Sequence, residues 1–474
     1  MLISISVTLL FLSFFASIVF TGYFRNIARS NNFLIDIPDK SRSFHFRPTP
    51  LIGGLSIQAS ILLSSLFMLS LIDYKYDFQF RGLSFTNESQ ENLYSEAGYS
   101  KKLSIKNENN DSAEDFRLEI TPKENNNANE SYVVNLGTNS IGPINITKIS
   151  ENAFIVSLPN GQVKTFIAKG ADIVEIDPQG NKVGDSFEII SQSNQFFSFS
   201  MFVIVFVVVT LLLQLFTLLD DAYGISAGKR LFVQSIAALT VIAIGDMYIE
   251  NLQLSFIGID LKLGIWGIPF TMFAVVGIVN AFNMIDGING LCAGFALIAL
   301  GALQVASGFD VANYSLVITM GSLIGFLFYN LGFLGTKRRV FLGDNGSTFL
   351  GFMVAWTCIN FSQSSESLIQ PVTCLWIVAV PLLDCLGVTV GRAINGIFPF
   401  RPGRDHIHHK LQELTHDSSK TLLGLLSLGF VVACIGVLIE KSSLSSETSL
   451  VLFTIFALFF YIGSGKLLDP MKNN

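Results

Sequence analysis

Long apolar segments alternate with short polar loops along most of the chain. Eleven of them are apolar enough to form helices across a hydrocarbon layer of about 30 Å, which takes roughly 20 such residues. We therefore predict an all-α polytopic membrane protein with about eleven transmembrane helices. The expected spans are about 2–22, 51–72, 197–219, 230–247, 264–283, 289–308, 314–334, 346–362, 368–390, 421–439 and 448–466.

One polar segment interrupts this pattern. Residues 73–196 hold 124 residues with 11 Lys and Arg and 18 Asp and Glu. This insert divides the membrane domain into a first part, 1–72, with two helices and a second part, 197–474, with nine. We expect partial disorder in its first half, and its second half has short β-type runs between turn signals, which predicts a small β-rich meander. With no catalytic constellation visible, a spacer or a docking module for an unknown partner are the interpretations left open.

The distribution of Lys and Arg predicts the orientation. One set of loops and helix ends carries 17 of them, whereas the opposite short loops carry only Lys262 and Lys441. Positive charge stays cytoplasmic in short loops. We therefore expect the N-terminus and the insert outside and the C-terminus in the cytoplasm.

Composition agrees with a membrane protein. The 474 residues are 50% hydrophobic and 14% charged, with a mean hydropathy of +0.53. The first apolar segment lacks a basic start and a clear cleavage site, so we expect a retained helix and not a signal peptide. The five cysteines have no paired spacing, which predicts packing roles and neither a disulfide framework nor a zinc site. We expect no nucleic-acid partner.

The stretch NAFNMIDGINGL, 280–291, follows a strongly apolar segment. Asn280, Asn283 and Asp286 are spaced to share one helical face, and such polar residues at a membrane face are costly unless they bind something polar. An ordinary helix C-cap, with the glycines as chain stops, is the alternative.

An acidic pair ends the third span. Asp220 and Asp221 lie beside a Val- and Leu-rich run, and Lys229 opens the fourth span. Adjacent carboxylates repel one another, and hard oxygen ligands suit Mg²⁺ or Mn²⁺. A solvated helix end is the alternative.

Asp344 lies in the sequence GDNGS, just after the basic residues Lys337, Arg338 and Arg339. We expect a turn in which glycines let backbone amides approach an anion. The turn is more informative than the charges, because basic clusters also anchor topology.

Two further clusters are basic. His406, His408 and His409 lie with Arg404 in the sequence PFRPGRDHIHHKL, 399–411. They lack the Cys or Glu that would complete a zinc site, so phosphate recognition by a cationic loop fits better. The other cluster, which includes Arg47, precedes the second span, where basic residues are also routine topology anchors. The convergence of these clusters on one membrane face predicts phosphoryl transfer to a lipid-borne acceptor.

These ordered motifs resemble the polyprenyl-phosphate N-acetylhexosamine-1-phosphate transferases. HIHHKL and NAFNMIDGINGL are most similar to the undecaprenyl-phosphate N-acetylglucosamine-1-phosphate transferases of surface-polysaccharide synthesis. The resemblance implies a multi-pass enzyme of the bacterial inner membrane that uses Mg²⁺, or Mn²⁺ in its place. It would transfer N-acetylhexosamine 1-phosphate, expected to be N-acetylglucosamine 1-phosphate, from a UDP-sugar to undecaprenyl phosphate and release UMP.

The resemblance also assigns roles by position. Asp221 and Asp344 match metal-binding aspartates, Phe341 matches an aromatic residue that stacks on uracil, and Arg47 matches a basic nucleotide contact. The catalytic matches are Asp220, Asp221, Asp286, His406, His408 and His409. The substrate-binding matches are Arg47, Lys229, Asn280, Asn283, Asn289, Phe341 and Arg404.

Two departures affect specificity more than reaction class. Asn289 stands where the family pattern has a second aspartate, and Gly403 replaces the aspartate expected between Pro402 and Arg404. An amide can accept a hydrogen bond from a uracil N–H, but it carries no charge. The sugar preference is therefore less firmly predicted than the reaction.

Two other functions stay open. A secondary transporter also carries polar residues on broken helices, although its sites favour the bilayer midplane. A lipid-phosphate phosphatase would use water where the transferase uses lipid phosphate. A homodimer is one option for the assembly.

Overall fold

The computed structural model describes residues 2–37, 47–72, 118–122, 131–136, 144–150, 153–157, 163–169, 172–176, 182–188, 192–256, 259–308, 314–363, 368–399, 403–442 and 444–466. The disorder expected in the first half of the insert falls outside these residues.

Thirteen α-helices lie within the described residues, and each of the eleven predicted spans overlaps at least one of them. They are α1 (Leu2–Asn31), α2 (Gly53–Ile72), α3 (Gln192–Tyr223), α4 (Ala227–Gly245), α5 (Gly267–Ile285), α6 (Leu291–Ser307), α7 (Tyr314–Asn330), α8 (Gly343–Gln363), α9 (Pro371–Ile377), α10 (Ala379–Ile394), α11 (Ile407–Thr415), α12 (Ser418–Lys441) and α13 (Ser446–Lys466).

Six of these helices are long and apolar enough to cross a membrane: α1, α3, α4, α5, α12 and α13. The pair α9 and α10, bent by 81°, adds a seventh if it forms one span, and α2, α6 and α7 are apolar but shorter. The prediction of a helical multi-pass membrane protein is confirmed. The count of eleven spans stays a prediction.

Three small groups of strands complete the described structure. The pair β1 (Ile35–Asp36) and β2 (Thr49–Pro50) precedes α2. Seven strands between α2 and α3 form one antiparallel sheet in which each pairs with the next. They are β3 (Leu118–Pro122), β4 (Ser131–Leu136), β5 (Ile144–Ser150), β6 (Ala153–Ser157), β7 (Val163–Lys169), β8 (Asp172–Ile176) and β9 (Lys182–Glu188). A hairpin of β10 (Asn251–Phe256) and β11 (Ile259–Lys262) follows α4.

The chain divides into two compact units. One consists of Met1–Phe78 together with Met201–Asn474, and the other of Gln79–Ser200. The helices of the first unit share a core of buried apolar side chains that includes Phe282, Leu300 and Phe326. All residues of the candidate site belong to this first unit.

Small residues bring α1 and α7 into close contact. Ser17 Oγ donates a hydrogen bond to the Ser322 carbonyl oxygen at 2.7 Å. A Cβ added at Gly321 would lie 2.1 Å from Ser13 Oγ, and one at Gly325 would lie 2.8 Å from the Ser17 Cβ. Glycine and serine at such a contact let two backbones pack closely where apolar burial gives little driving force, as it does inside a membrane.

The start of α2 is joined to the segment that precedes α8. The Phe341 N–H donates to the Pro50 carbonyl at 2.9 Å, and the Gly53 and Gly54 N–H groups donate to the carbonyls of Phe341 (3.0 Å) and Leu342 (3.2 Å). These bonds bring two of the predicted motifs together although almost 300 residues separate them.

Candidate active site

The first turn of α8 contacts the end of α3. The Asp221 carboxylate accepts hydrogen bonds from the backbone N–H groups of Asp344 (3.0 Å) and Asn345 (3.2 Å) and from Asn345 Nδ2 (2.7 Å). The first amides of a helix lack partners within it and favour negative charge. The segment GDNGS is therefore the first turn of a helix and not the predicted isolated turn, and the anion on its amides is Asp221.

Asp344 connects α8 to two other helices. Arg230 Nη1 donates to Asp344 Oδ2 at 2.8 Å, and Arg230 Nε lies 3.4 Å from Asp220 Oδ2. Asn283 Nδ2 donates to Asp344 Oδ1 at 3.0 Å and to Ser347 Oγ at 3.0 Å. Asp344 is thus joined to Asp220 through the Arg230 guanidinium and to α5 through the Asn283 amide.

Asn280 and Asp286 lie with Asn283 along the end of α5. Asn280 Nδ2 donates to Gln234 Oε1 on α4 at 2.8 Å. Asp286 is the C-cap residue of α5, so the helix-end interpretation and the functional interpretation of this stretch both hold. Burial raises the pKa of Asp286, and the negative charges of Asp344 and Asp221 raise it further.

A cavity of about 230 Å³ opens where these helices meet the histidine loop. Side chains able to form hydrogen bonds make up most of its wall, which suits a polar ligand. Its lining residues are Ala227, Arg230, Leu231, Gln234, Asn280, Asn283, Met284, Asp286, Gly287, Thr348, Arg392, Gly403, His406, His408 and His409.

Asp384 on α10 contacts the start of α11, the helix that carries His408 and His409. His406 Nδ1 lies 2.8 Å from Asp384 Oδ2, and the Ile407 N–H donates to Asp384 Oδ1 at 2.8 Å. Asp384 and His406 are both buried. Because the carboxylate accepts from Nδ1–H, it leaves Nε2 of a neutral His406 as an acceptor.

Arg392 fixes the loop that leads into α11. It forms a bidentate pair with Asp405 and donates to the Pro399 carbonyl at 2.9 Å. Burial alone would raise the pKa of Asp405, but the hydrogen bonds from Arg392 lower it below the usual value. The pair therefore stays charged and holds the loop against α10 near neutral pH.

The other two histidines are uncharged near neutral pH. Burial lowers the pKa of His408 to about 2, with neighbouring His409 and His406 lowering it further. Burial lowers the pKa of His409 to about 4, with His406 and Arg404 adding to the effect. His408 and His409 thus contribute polarity but not charge, which differs from the predicted cationic loop.

The structure brings together part of the predicted site. Asn280, Asn283, Asp286 and the three histidines line the cavity. Asp220 and Asp344 connect to it through Arg230, and Asp221 connects to Asp344 through the Asp344 backbone N–H. Five other predicted substrate-binding residues do not belong to the cavity lining: Arg47, Lys229, Asn289, Phe341 and Arg404. Their roles stay predictions.

Four residues of the site were not singled out from the sequence: Arg230, Gln234, Asp384 and Arg392. Asp384 carried a usable signal, because an ionisable residue inside an apolar segment is a functional candidate. Arg230 and Arg392 lie at span ends, where they are indistinguishable from topology anchors. Gln234 has no sequence signal of its own.

The carboxylates fit a magnesium ion that is shared with a substrate. Among the residues that the structure describes, no three His, Cys, Asp or Glu side chains form a complete ligand set. Mg²⁺ is commonly held by one or two carboxylates, with water and substrate phosphates filling the other positions. The Asp344 side chain is 40% exposed, so its carboxylate and that of Asp221 are the candidate ligands.

Comparisons with known proteins agree with this arrangement. Residues 203–362 match the model of glycosyl transferase family 4. A protein of Escherichia coli (strain K12), named undecaprenyl-phosphate alpha-N-acetylglucosaminyl 1-phosphate transferase, is 34% identical over 247 residues, which cover 51% of this chain and 67% of that protein. A Haemophilus influenzae protein of the same name is 35% identical over 252 residues, which cover 52% of this chain and 70% of its own.

The chain belongs to this sugar-phosphate transferase family. The resemblance inferred from the motifs is therefore confirmed. Family membership also makes the protein a membrane-bound transferase, in agreement with the apolar helices.

Proposed function

We propose that the protein transfers N-acetylglucosamine 1-phosphate from a UDP-sugar to undecaprenyl phosphate and releases UMP, which starts a lipid-linked surface polysaccharide. One observation carries the proposal. A polar cavity is joined through Arg230 and Asn283 to the carboxylate of Asp344. Cations and amides beside clustered carboxylates are the groups that a phosphoryl-transfer site needs. The names of the relatives supply the sugar and the lipid.

The proposed reaction exchanges one phosphoanhydride for another. An oxygen of the lipid phosphate forms a bond to the β-phosphorus of the UDP-sugar, while the bond from that phosphorus to the bridging oxygen breaks. UMP leaves with the electron pair. Because one anhydride forms for each that is broken, the reaction is close to thermoneutral and reversible.

Residues of this chain supply charge and hydrogen bonds at fixed positions. Arg230 and Arg392 line the cavity, where cations stabilise the charge of a transferring phosphate. His409, neutral near pH 7 because of its lowered pKa of about 4, offers a hydrogen bond and no charge. Asp384 is a positioning residue that holds His406 through Nδ1.

Mg²⁺, or Mn²⁺ in its place, is the proposed cofactor, held by Asp344 and Asp221. When bound, it would neutralise phosphate oxygens and offset the repulsion among the carboxylates. In the described part of the chain, Arg230 is the one cation that forms ion pairs with the carboxylates of Asp220 and Asp344.

Isotope exchange tests the proposal. Purified full-length protein is incubated with UDP-N-acetylglucosamine, undecaprenyl phosphate, Mg²⁺ and radiolabelled UMP. We expect label from UMP to enter the UDP-sugar pool. In a second experiment, label placed on the β-phosphate of the UDP-sugar should enter the lipid. Omission of Mg²⁺ from the same mixture tests the cofactor separately.

The same assay separates the alternatives. A phosphatase would release β-label as water-soluble phosphate, and a transporter would leave all label in place. Absence of UMP exchange with several UDP-hexosamines, in protein shown to be folded, would contradict the transferase proposal. Exchange with only a different UDP-hexosamine would change the sugar and leave the reaction intact.

We also propose that the N-terminus and the insert lie outside the cytoplasm of a bacterial inner membrane, with the C-terminus inside. The uneven distribution of Lys and Arg supports this orientation. A cysteine introduced by Ser157→Cys in β6 should react with a membrane-impermeant thiol reagent in intact spheroplasts, with the parent chain as background. Protection of this cysteine until the membrane is opened would contradict the orientation.

A further inference from the structure

Two arginines at the end of α1 contact the basic segment 337–339, apart from the cavity. We call Arg25, Arg29, Lys337, Arg338 and Arg339 the basic cluster. Arg25 Nη2 and Arg29 Nη2 both donate to the carbonyl oxygen of Lys337, at 3.1 and 3.0 Å. None of the five residues lines the cavity of the candidate active site.

The basic cluster has no acidic partner in the described part of the chain. The ion pairs found there involve Arg230, Arg392 and His406 only. Like charges close together in one surface patch repel one another. Within the described residues, no carboxylate therefore compensates the charge of the cluster.

Two guanidinium groups also keep unused donors. The Nε atoms of Arg25 and Arg339 are buried and form no hydrogen bond with any described residue. Arg339 uses Nη2 for the Leu331 carbonyl at 3.4 Å. A buried N–H without an acceptor costs free energy comparable to a lost hydrogen bond, so the contacts within the chain do not fully satisfy these two guanidinium groups.

Aromatic side chains place the basic cluster at headgroup depth. Tyr23, two turns before the end of α1, is 59% exposed, and Phe333 in the loop after α7 is 71% exposed. Phe20 and Phe24 stack with their ring centroids 5.9 Å apart. Exposed aromatic rings are typical of the interface between hydrocarbon and water. The cations therefore lie where lipid phosphates are found.

We propose that the basic cluster binds the headgroup of an anionic phospholipid. The phosphodiester would accept from the guanidinium groups of Arg25 and Arg29, as phosphates do when they pair with arginine forks. Topology anchoring needs only positive charge near the surface. It does not need two arginines fixed on one carbonyl oxygen.

Lipid titration of the purified full-length protein tests this site. Phosphatidylglycerol or phosphatidylcholine is added in mild detergent while bound lipid is counted by native mass spectrometry and the unfolding temperature is measured. We expect phosphatidylglycerol to bind and to raise the unfolding temperature, since a ligand that binds the folded state stabilises it. Phosphatidylcholine should bind more weakly than phosphatidylglycerol. Equal binding and equal stabilisation by the two lipids would overturn the proposal.

The main variant is the double substitution Lys337→Gln and Arg338→Gln, which replaces two exposed side chains. It leaves the contacts of Arg25 and Arg29 with the carbonyl oxygen of residue 337 intact. Each cation near an anionic surface strengthens association about fivefold. Phosphatidylglycerol binding should therefore weaken roughly tenfold or more. The matched control, Lys420→Gln with Lys441→Gln, removes two exposed cations from α12 and should bind as the parent does. Equal losses in both double variants would overturn the proposal.

A second variant addresses the arginine forks. Arg25→Lys with Arg29→Lys keeps the charge but removes the paired donors, so phosphatidylglycerol binding should weaken while the unfolding temperature without lipid changes little. Unchanged binding in this variant would contradict the assigned contacts. Inorganic phosphate serves as a soluble competitor. If millimolar phosphate displaced the lipid completely, the site would be one for a free anion and not for a lipid headgroup.

Discussion

The substitution Gly287→Ala most directly tests the packing between the end of α5 and α11. A Cβ at residue 287 would lie 2.1 Å from His408 Nε2 and 2.6 Å from His408 Cδ2. Ordinary contacts of a Cβ begin near 3.4 Å, so the ring must move by about 1.3 Å. His408 is only 1% exposed, and the cavity that it lines is the space into which the ring can be displaced.

Two effects follow from this displacement. Forcing an extra methyl group against a packed side chain costs about 1–3 kcal/mol of folding free energy, so the protein should still fold. A misplacement of about 1 Å in a catalytic arrangement can lower the rate by roughly 100-fold. We therefore expect a loss of activity much larger than the loss of stability.

The measurement combines the initial rate of N-acetylglucosamine 1-phosphate transfer with the unfolding temperature in detergent. Gly277→Ala is the matched control, because Gly277 lies in α5 and a Cβ there has no other atom within 4 Å. The control should keep the parent rate. A folded Gly287→Ala variant with the parent rate, or a control that is equally damaged, would refute the reasoning.

Further predictions concern charge and protonation. Asp344→Asn and Asp221→Asn should each reduce turnover by at least about 100-fold with little loss of folded protein, because removing an electrostatic contact to a phosphoryl-transfer site costs a few kcal/mol of transition-state stabilisation. Asp246→Asn, at the C-cap of α4, should stay active; equal damage there would contradict the assignment. His408 and His409 have pKa values lowered by burial to about 2 and about 4, so below about pH 6.5 the unfolded chain gains protons that the folded chain does not. The unfolding temperature should therefore fall between pH 6.5 and 4, and His409→Gln should reduce this slope; an unchanged slope would contradict the lowered pKa.

Local sequence patterns predicted the helices and the polar residues of α5. Asn280, Asn283 and Asp286 were correctly grouped because their spacing places them on one helical face, and the structure puts all three on the cavity wall. The apolar segments predicted the helices because each is long enough to be recognised without knowledge of its neighbours.

Contacts between distant segments could not be predicted in the same way. Arg230 contacts Asp344 across 114 residues, and Asp384 contacts His406 across 22. A single sequence does not show which helix faces meet, so it cannot distinguish Arg230 from an anchor at a helix end. The pKa values of His408 and His409 depend on burial by other helices, and a single sequence does not show that burial.

The contact between α1 and α7 constrains the order of events during synthesis. Ser17 and Ser322, which share a hydrogen bond, are 305 residues apart. At a translation rate of about 5–20 residues per second, α1 must remain in the bilayer for roughly 15 to 60 s before its partner exists. During that time Ser13 and Thr21, both fully buried in the folded protein, face lipid or another protein. During this interval α1 would be available to a membrane chaperone.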